Sequence, residues 1–225
     1  MDALRKKALT GCIKFQLTLA LFLFLPAWSL RFWEAWLYWL LFSASALILT
    51  LYFLKHDPQL IERRLEAGPV AEQEKSQKII QAIASVLVCA LFIVPGFDHR
   101  LHWSTAPTPL VLLADVSVVL GFLIVFFVFR ENSYTAGTVK VEANQHVIST
   151  GPYRFVRHPM YVGATLMFLA TPFALGSLWA LLVAVPLCGV IVARLLNEEQ
   201  YLSAHLPGYI AYCQKVRYRL LPMVW

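Results

Sequence analysis

Charge is scarce in this sequence and unevenly spread. Only 14% of the 225 residues are Asp, Glu, Lys or Arg, against 59% hydrophobic. That composition lies far outside the range of a soluble domain. None of the ten glycines lies two residues from another, so no Gly-x-Gly loop exists and a Rossmann-type nucleotide fold is excluded. The four cysteines (Cys12, Cys89, Cys188, Cys213) are scattered, without a C-x-x-C pair or a histidine at ligand spacing. A disulfide framework and a zinc site are therefore not expected, and the thiols read as small apolar residues. Pro26-Ala27-Trp28 offers no small-x-small cleavage site after the first apolar run, so that run is not read as a cleaved signal peptide. No repeat or low-complexity tract is evident.

What the chain has instead is long apolar runs, roughly 13–30, 33–54, 79–97, 109–129, 160–176 and 178–196. Each approaches the ~20 residues needed to cross a bilayer, which predicts an all-α integral membrane protein of about six transmembrane helices. The fifth run is the shortest, and three arrangements fit it: a tilted span, an interfacial helix, or a tight hairpin with the sixth around Ala174–Ser177. Of the 19 lysines and arginines, only Arg31 and Arg100 fall in the loops on one side of this topology. The remaining 17 lie on the other side, which predicts cytoplasmic N- and C-termini. The net charge of +6 then reads as a topology and anionic-lipid signal, since no soluble basic face for nucleic acid is visible.

Residues 1–130 read as a scaffold of four spans. Asp57-Pro58 is an N-cap followed by proline at the first helical position, and Gly68-Pro69 is a stop. Between them Leu60, Ile61 and Leu65 share one face, as in a short helix lying on the membrane surface. Trp28, Trp33, Trp36, Trp39 and Trp103 sit near predicted interfaces, where aromatic rings anchor spans. Asp98-His99-Arg100-Leu101-His102 reads as a polar turn rather than a metal site. Asp115 is the one acidic residue well inside a span, so it is expected to face the bundle interior and to have a partner.

Residues 131–225 carry the polar chemistry. Glu131–Ser149 reads as a loop of moderate β-character leading into the turn Thr150-Gly151-Pro152-Tyr153. In Arg157-His158-Pro159 the proline suits the first position of a helix. Free N–H groups there, beside Arg157, suit an anion. Beyond an apolar hairpin, Arg194 and Glu198 stand four residues apart on one helical face, in ion-pair geometry. The hairpin returns this second cluster to the same membrane face as the first.

RHPMYVG, a hydrophobic hairpin, EEQYL, a glycine-containing turn, YIAY and VRYRLLP occur in that order over roughly residues 130–222. Together they resemble the isoprenylcysteine carboxyl methyltransferase family, whose relatives include the phospholipid N-methyltransferases and, more distantly, membrane sterol reductases. The resemblance implies S-adenosylmethionine as cofactor, bound in the cytoplasmic C-terminal region. By position, Gln145, His146, Val147 and Ile148 match the family's loop over the cofactor. Tyr153, Arg157, His158, Pro159, Met160 and Glu198 match its other cofactor contacts, and Arg194 the arginine facing the substrate.

The expected partners are a lipidic or hydrophobic small-molecule acceptor and membrane lipid, with no metal and no nucleic acid. Carboxyl O-methylation of an isoprenylcysteine-like substrate ranks first, by resemblance. A carboxylate acceptor is already ionised and needs no base, whereas an amine or thiol would call on His158 or Glu199. The alternatives are a phospholipid amine N- or thiol S-methyltransferase and an NADPH-dependent sterol or enone reductase. A non-enzymatic scaffold or transporter fits less well, because polar density sits at one edge rather than at mid-membrane.

Overall fold

The structure is a computed structural model describing residues 2–72, 74–142 and 144–225, with the backbone alone for Asp2. Among the described residues it contains eight α-helices, one 3-10 turn and no strand. In chain order the helices are α1 (Asp2–Ala27), α2 (Trp33–His56), α3 (Pro58–Leu65), α4 (Lys75–Leu101), α5 (Thr108–Glu131), α6 (Pro159–Ala174), α7 (Leu181–His205) and α8 (Tyr209–Lys215). Five of them (α1, α2, α4, α5 and α7) are long and apolar enough to cross a membrane. With the family finding below, this makes the chain an all-α integral membrane protein.

The fifth predicted run, 160–176, forms the short helix of a tight hairpin, one of the three arrangements expected for it. Helix α6 has 16 residues, about 24 Å at 1.5 Å per residue, which falls short of a hydrocarbon core of about 30 Å. Its C-terminus turns sharply instead. Gly176 takes φ +66°, and Ser177 N–H reaches back to Pro172 O at 2.8 Å, a Schellman-type closure that glycine permits at no steric cost. Ser177 Oγ then donates to the buried Asp98 (2.5 Å), which also accepts from Ser104 N and Oγ. The aspartate of the expected polar turn thus staples the hairpin to the end of α4.

Elsewhere the local signals act as their chemistry dictates. Asp57 N–H closes α2 onto Phe53 O at 2.8 Å, while its Oδ1 accepts Leu60 N–H at 3.1 Å and opens α3. Leu60 and Ile61 of α3 pack against Phe53 of α2 and Val128 and Phe129 of α5, seating α3 across the basic ends of those helices. The segment expected to have β-character, 131–149, is irregular. Its polar backbone groups are taken up by side chains of α3 and the following loop rather than by a partner strand.

Helices α5 and α6 pack most closely. A Cβ on Gly163 would lie 2.8 Å from Gly121 O, and one on Gly121 would lie 2.9 Å from Gly163 O. Two facing glycines let the backbones touch, the usual device for packing helices in lipid, where no hydrophobic force separates helix from tail. Asp115 of α5 faces inward and is 2% exposed. The partner expected from sequence is missing: among the described residues neither of its oxygens has a hydrogen bond.

Candidate functional site

Three segments meet at the basic end of the bundle: the N-terminus of α6, the last three turns of α7, and the α8 tail. Helix α7 continues nine residues beyond the predicted end of its span, to His205, and so carries Glu198 and Glu199 past the apolar run, with Arg194 just inside its edge. The loop 132–148 closes over the gap. The result is a cleft of about 120 Å³ whose mouth opens to solvent.

All eleven residues singled out from the sequence line this cleft: Gln145, His146, Val147 and Ile148 from the loop, Tyr153 from the 3-10 turn, Arg157, His158, Pro159 and Met160 at the start of α6, and Arg194 and Glu198 from α7. Sequence reasoning missed Tyr161, Tyr209 and Tyr212, which line it too. Tyr161 was the accessible one, lying one turn from His158 inside the R-H-P-M-Y segment.

The loop is held by α3. Arg63 grips Glu142 with two hydrogen bonds (Nε 2.8 Å, Nη2 2.9 Å) and donates from Nη1 to Ser133 O at 3.0 Å. That hydrogen-bonded pair raises the arginine's pKa and lowers the carboxyl's. The opposite wall is aromatic. Tyr209 and Tyr212 of α8 cluster with Val147 and Tyr153, and Tyr212 O–H donates to Tyr153 O at 2.7 Å.

Glu199 organises the floor. One of its oxygens lies 3.0 Å from Arg157 Nη1 and 3.2 Å from His158 Nε2, and the other accepts from Arg219 Nε at 2.8 Å. A carboxylate facing three cationic or potentially cationic groups is a clamp, and it has little basicity left for proton abstraction. Backbone bonds reinforce it: Arg157 N–H donates to Tyr218 O (2.9 Å) and His158 N–H to Arg219 O (3.1 Å). The R-H-P segment is thereby stitched to the C-terminal tail. Those two N–H groups are not free for an anion, in contrast to the cradle expected at this helix start.

Arg194 and Glu198 do not form the expected direct i,i+4 ion pair. Tyr161 stands between them, donating O–H to Glu198 Oε2 (2.5 Å) and accepting from Arg194 Nε (3.1 Å). The carboxylate of Arg194 is Glu72, 3.0 Å from Nη2 and only 2% exposed itself. Nη1 donates to Gln77 Oε1 and Nη2 also to Gly137 O. Four of the five N–H groups of Arg194 are therefore engaged. Glu72 further accepts from Gln81 Nε2 (2.7 Å) and Val139 N (3.1 Å), tying the loop, α4 and α7 together.

The charge balance of the cleft follows. Each lysine or arginine lining it faces a carboxylate: Lys140 with Glu66, Arg157 with Glu199 (shared with Arg219), Arg194 with Glu72. Glu198 is the one acidic residue lining it, and it pairs with no cation among the described residues. Two buried polar atoms at the wall, Arg157 Nε and Tyr209 Oη, also lack hydrogen-bond partners. The cleft offers a free negative charge on one side and unused donors on the other.

The structure is thus a bundle of membrane-length helices with a polar cleft, partly open to solvent, at its basic end. The comparison with protein families narrows this. Residues 110–207, from α5 to the end of α7, match the phospholipid methyltransferase family. The match covers less than half of the 225 residues, and the family it names is one of the integral-membrane methyltransferases related to the isoprenylcysteine carboxyl methyltransferases. No curated protein matches the chain.

Proposed function

We propose that the protein is an S-adenosylmethionine-dependent methyltransferase that modifies a lipidic acceptor at the cytoplasmic face of a membrane. The observation that carries this reading is the carboxylate of Glu198, the one acidic side chain lining the cleft, which pairs with no cation while the lysine and arginines there face other carboxylates. S-adenosylmethionine bears an ammonium, a sulfonium and a carboxylate, one net positive charge. Glu198 suits the cationic part, while the unpartnered Arg157 Nε and Tyr209 Oη suit the carboxylate. The tyrosine-rich wall and Val147 suit adenine. These residues fit the group.

When bound, the cofactor supplies an electrophilic methyl group, and the protein's own contribution is alignment. Holding donor and acceptor in line contributes about 7–11 kcal/mol to such a reaction. Glu199 fixes Arg157 and His158, and the Glu72–Arg194–Tyr161 chain fixes the orientation of Glu198. The remaining N–H of Arg194 is available to an acceptor. The arrangement has no obvious general base, because His158 and Glu199 are engaged with each other. That favours an acceptor already ionised at neutral pH, such as the carboxylate of an isoprenylcysteine-like substrate.

The match to phospholipid methyltransferases favours a second reading, in which a phospholipid amine is the acceptor. One experiment separates the two. Purified protein is incubated with radiolabelled S-adenosylmethionine and membrane lipid, and the labelled product is treated with mild alkali. A methyl ester releases volatile methanol, whereas an N-methyl amine keeps its label. Absence of both labelled product and cofactor binding would refute the proposal.

A further inference from the structure

Among the described residues, six lysines and arginines are not solvent-exposed: Arg63, Arg64, Lys140, Arg157, Arg194 and Arg219. Five of them lie 2.8–3.2 Å from a carboxylate oxygen. Arg64 is the exception. Its Nη1 donates to Ala136 O at 3.0 Å and touches Met160 Sδ at 3.6 Å, and its guanidinium lies over the Phe129 ring, 5.0 Å from the centroid. Nε and Nη2 donate to no group among the described residues, and neither is a sealed, unsatisfied atom.

That is an unusual disposition. A half-buried cation without a counter-charge is costly unless something repays its desolvation. Burial among apolar neighbours pulls the pKa of Arg64 down, and the nearby charge of Arg194 adds to the effect. The unused Nε–Nη2 edge is the one with which arginine grips a carboxylate or phosphate through two parallel hydrogen bonds. Its neighbours Ala136 and Met160 both line the cleft, so Arg64 stands one side chain behind the cleft wall. Helix α3 lies on the ends of α2 and α5 through Leu60 and Ile61, which is the level at which lipid head groups meet the bundle.

We infer that Arg64 is the anion receptor for the lipidic acceptor: its Nε–Nη2 edge takes the acceptor's phosphodiester or carboxylate and so sets the acceptor's register against the cleft. This rests on the methyltransferase reading and names the acceptor class as a lipid with an anionic group near its head. It also separates two duties. Arg194, already paired with Glu72, orders the inside of the site, while Arg64 supplies the uncompensated charge that recruits.

The test uses the full-length chain in detergent micelles, as wild type, Arg64→Gln and Arg64→Lys. Each is titrated calorimetrically with dihexanoyl phosphatidylethanolamine, with S-farnesyl-N-acetylcysteine and with S-adenosylhomocysteine. We expect wild type to bind at least one of the two lipids, one carrying a phosphodiester and the other a carboxylate, and whichever binds identifies the anionic group that is recognised. Arg64→Gln should weaken that binding at least tenfold. Arg64→Lys, which keeps the charge but loses the fork, should weaken it about threefold and covers the case in which the glutamine variant does not fold. S-adenosylhomocysteine affinity should stay within twofold in both. Unchanged lipid affinity in the variants, an equal loss of S-adenosylhomocysteine affinity, or a wild type that binds neither lipid would overturn the assignment. A wild type that binds lipid but not S-adenosylhomocysteine would instead refute the methyltransferase reading and leave the Arg64 site standing.

Discussion

Replacing Glu199 by glutamine separates a clamp from a base. The side chain is 10% exposed, and it faces Arg157 and His158, which are 10% and 5% exposed, and Arg219 at 30%. Removing one member of a buried charged set leaves the others uncompensated, at a cost of about 3–5 kcal/mol. The lower end, about 3 kcal/mol, applies here, because Arg219 is partly solvated and the amide oxygen still accepts one hydrogen bond. For a chain of this length each kcal/mol moves the midpoint by about 2–4 °C, so Glu199→Gln should lower Tm by about 6–12 °C. Tryptophan fluorescence during thermal unfolding in detergent reads this directly. A clamp also leaves the shape of the pH–rate profile unchanged while lowering its height. Should Tm stay within about 2 °C of wild type while the profile loses an ionisation limb, Glu199 is a proton acceptor and the structural account is wrong.

Glu198→Gln removes the free charge of the cleft. A hydrogen bond to a charged group contributes about 1.5–3 kcal/mol, so S-adenosylhomocysteine affinity by calorimetry should fall about ten- to a hundredfold, and unchanged affinity would exclude Glu198 from the cofactor contact. Gly163→Val drives a side chain into Gly121 O, which already lies 2.8 Å from an added Cβ. Overpacking of this kind costs about 1–3 kcal/mol, seen as a lowered thermal midpoint, whereas Gly189→Ala, inside α7 with open space around it, should hold or slightly raise the midpoint, since alanine is the better helix former by about 1 kcal/mol. Arg63→Gln should raise hydrogen–deuterium exchange across 132–142. In wild type the Glu142 carboxyl is held below its ordinary pKa, so its pairing is fully present above the usual carboxylate range and is lost as pH falls through the depressed value. Protection of the loop, corrected for intrinsic exchange rates, should therefore hold from pH 8 to pH 5 and decline only below about pH 4.

Much of the architecture is legible in the chain because its signals are local. Apolar runs, the Asp57-Pro58 cap and the Arg157-His158-Pro159 helix start each act within a few residues of themselves. Candidate residues read from an ordered set of short segments come together in one cleft for the same reason. What escaped is long-range. Glu72 meets Arg194 across 122 positions, and nothing in either neighbourhood announces the other. An i,i+4 spacing advertised Arg194 and Glu198 as partners, yet Tyr161, from another helix, outcompetes that local choice. The short α6 and its hairpin were legible as one of three arrangements, but hydropathy alone did not choose among them; the turn at Gly176 does.

The burial of Glu72 against Arg194 carries a consequence for biosynthesis. A chain grows at roughly 5–20 residues per second, so the glutamate emerges about 6–24 s before its arginine does. Throughout that interval it must stay in water, since its buried seat holds no cation for it until Arg194 arrives. The segment between the first two helices and the next long one therefore cannot reach its final seat until the last long helix has been made. Ribosome-arrested chains ending before Arg194 should leave that segment open to protease, and chains ending after it should not.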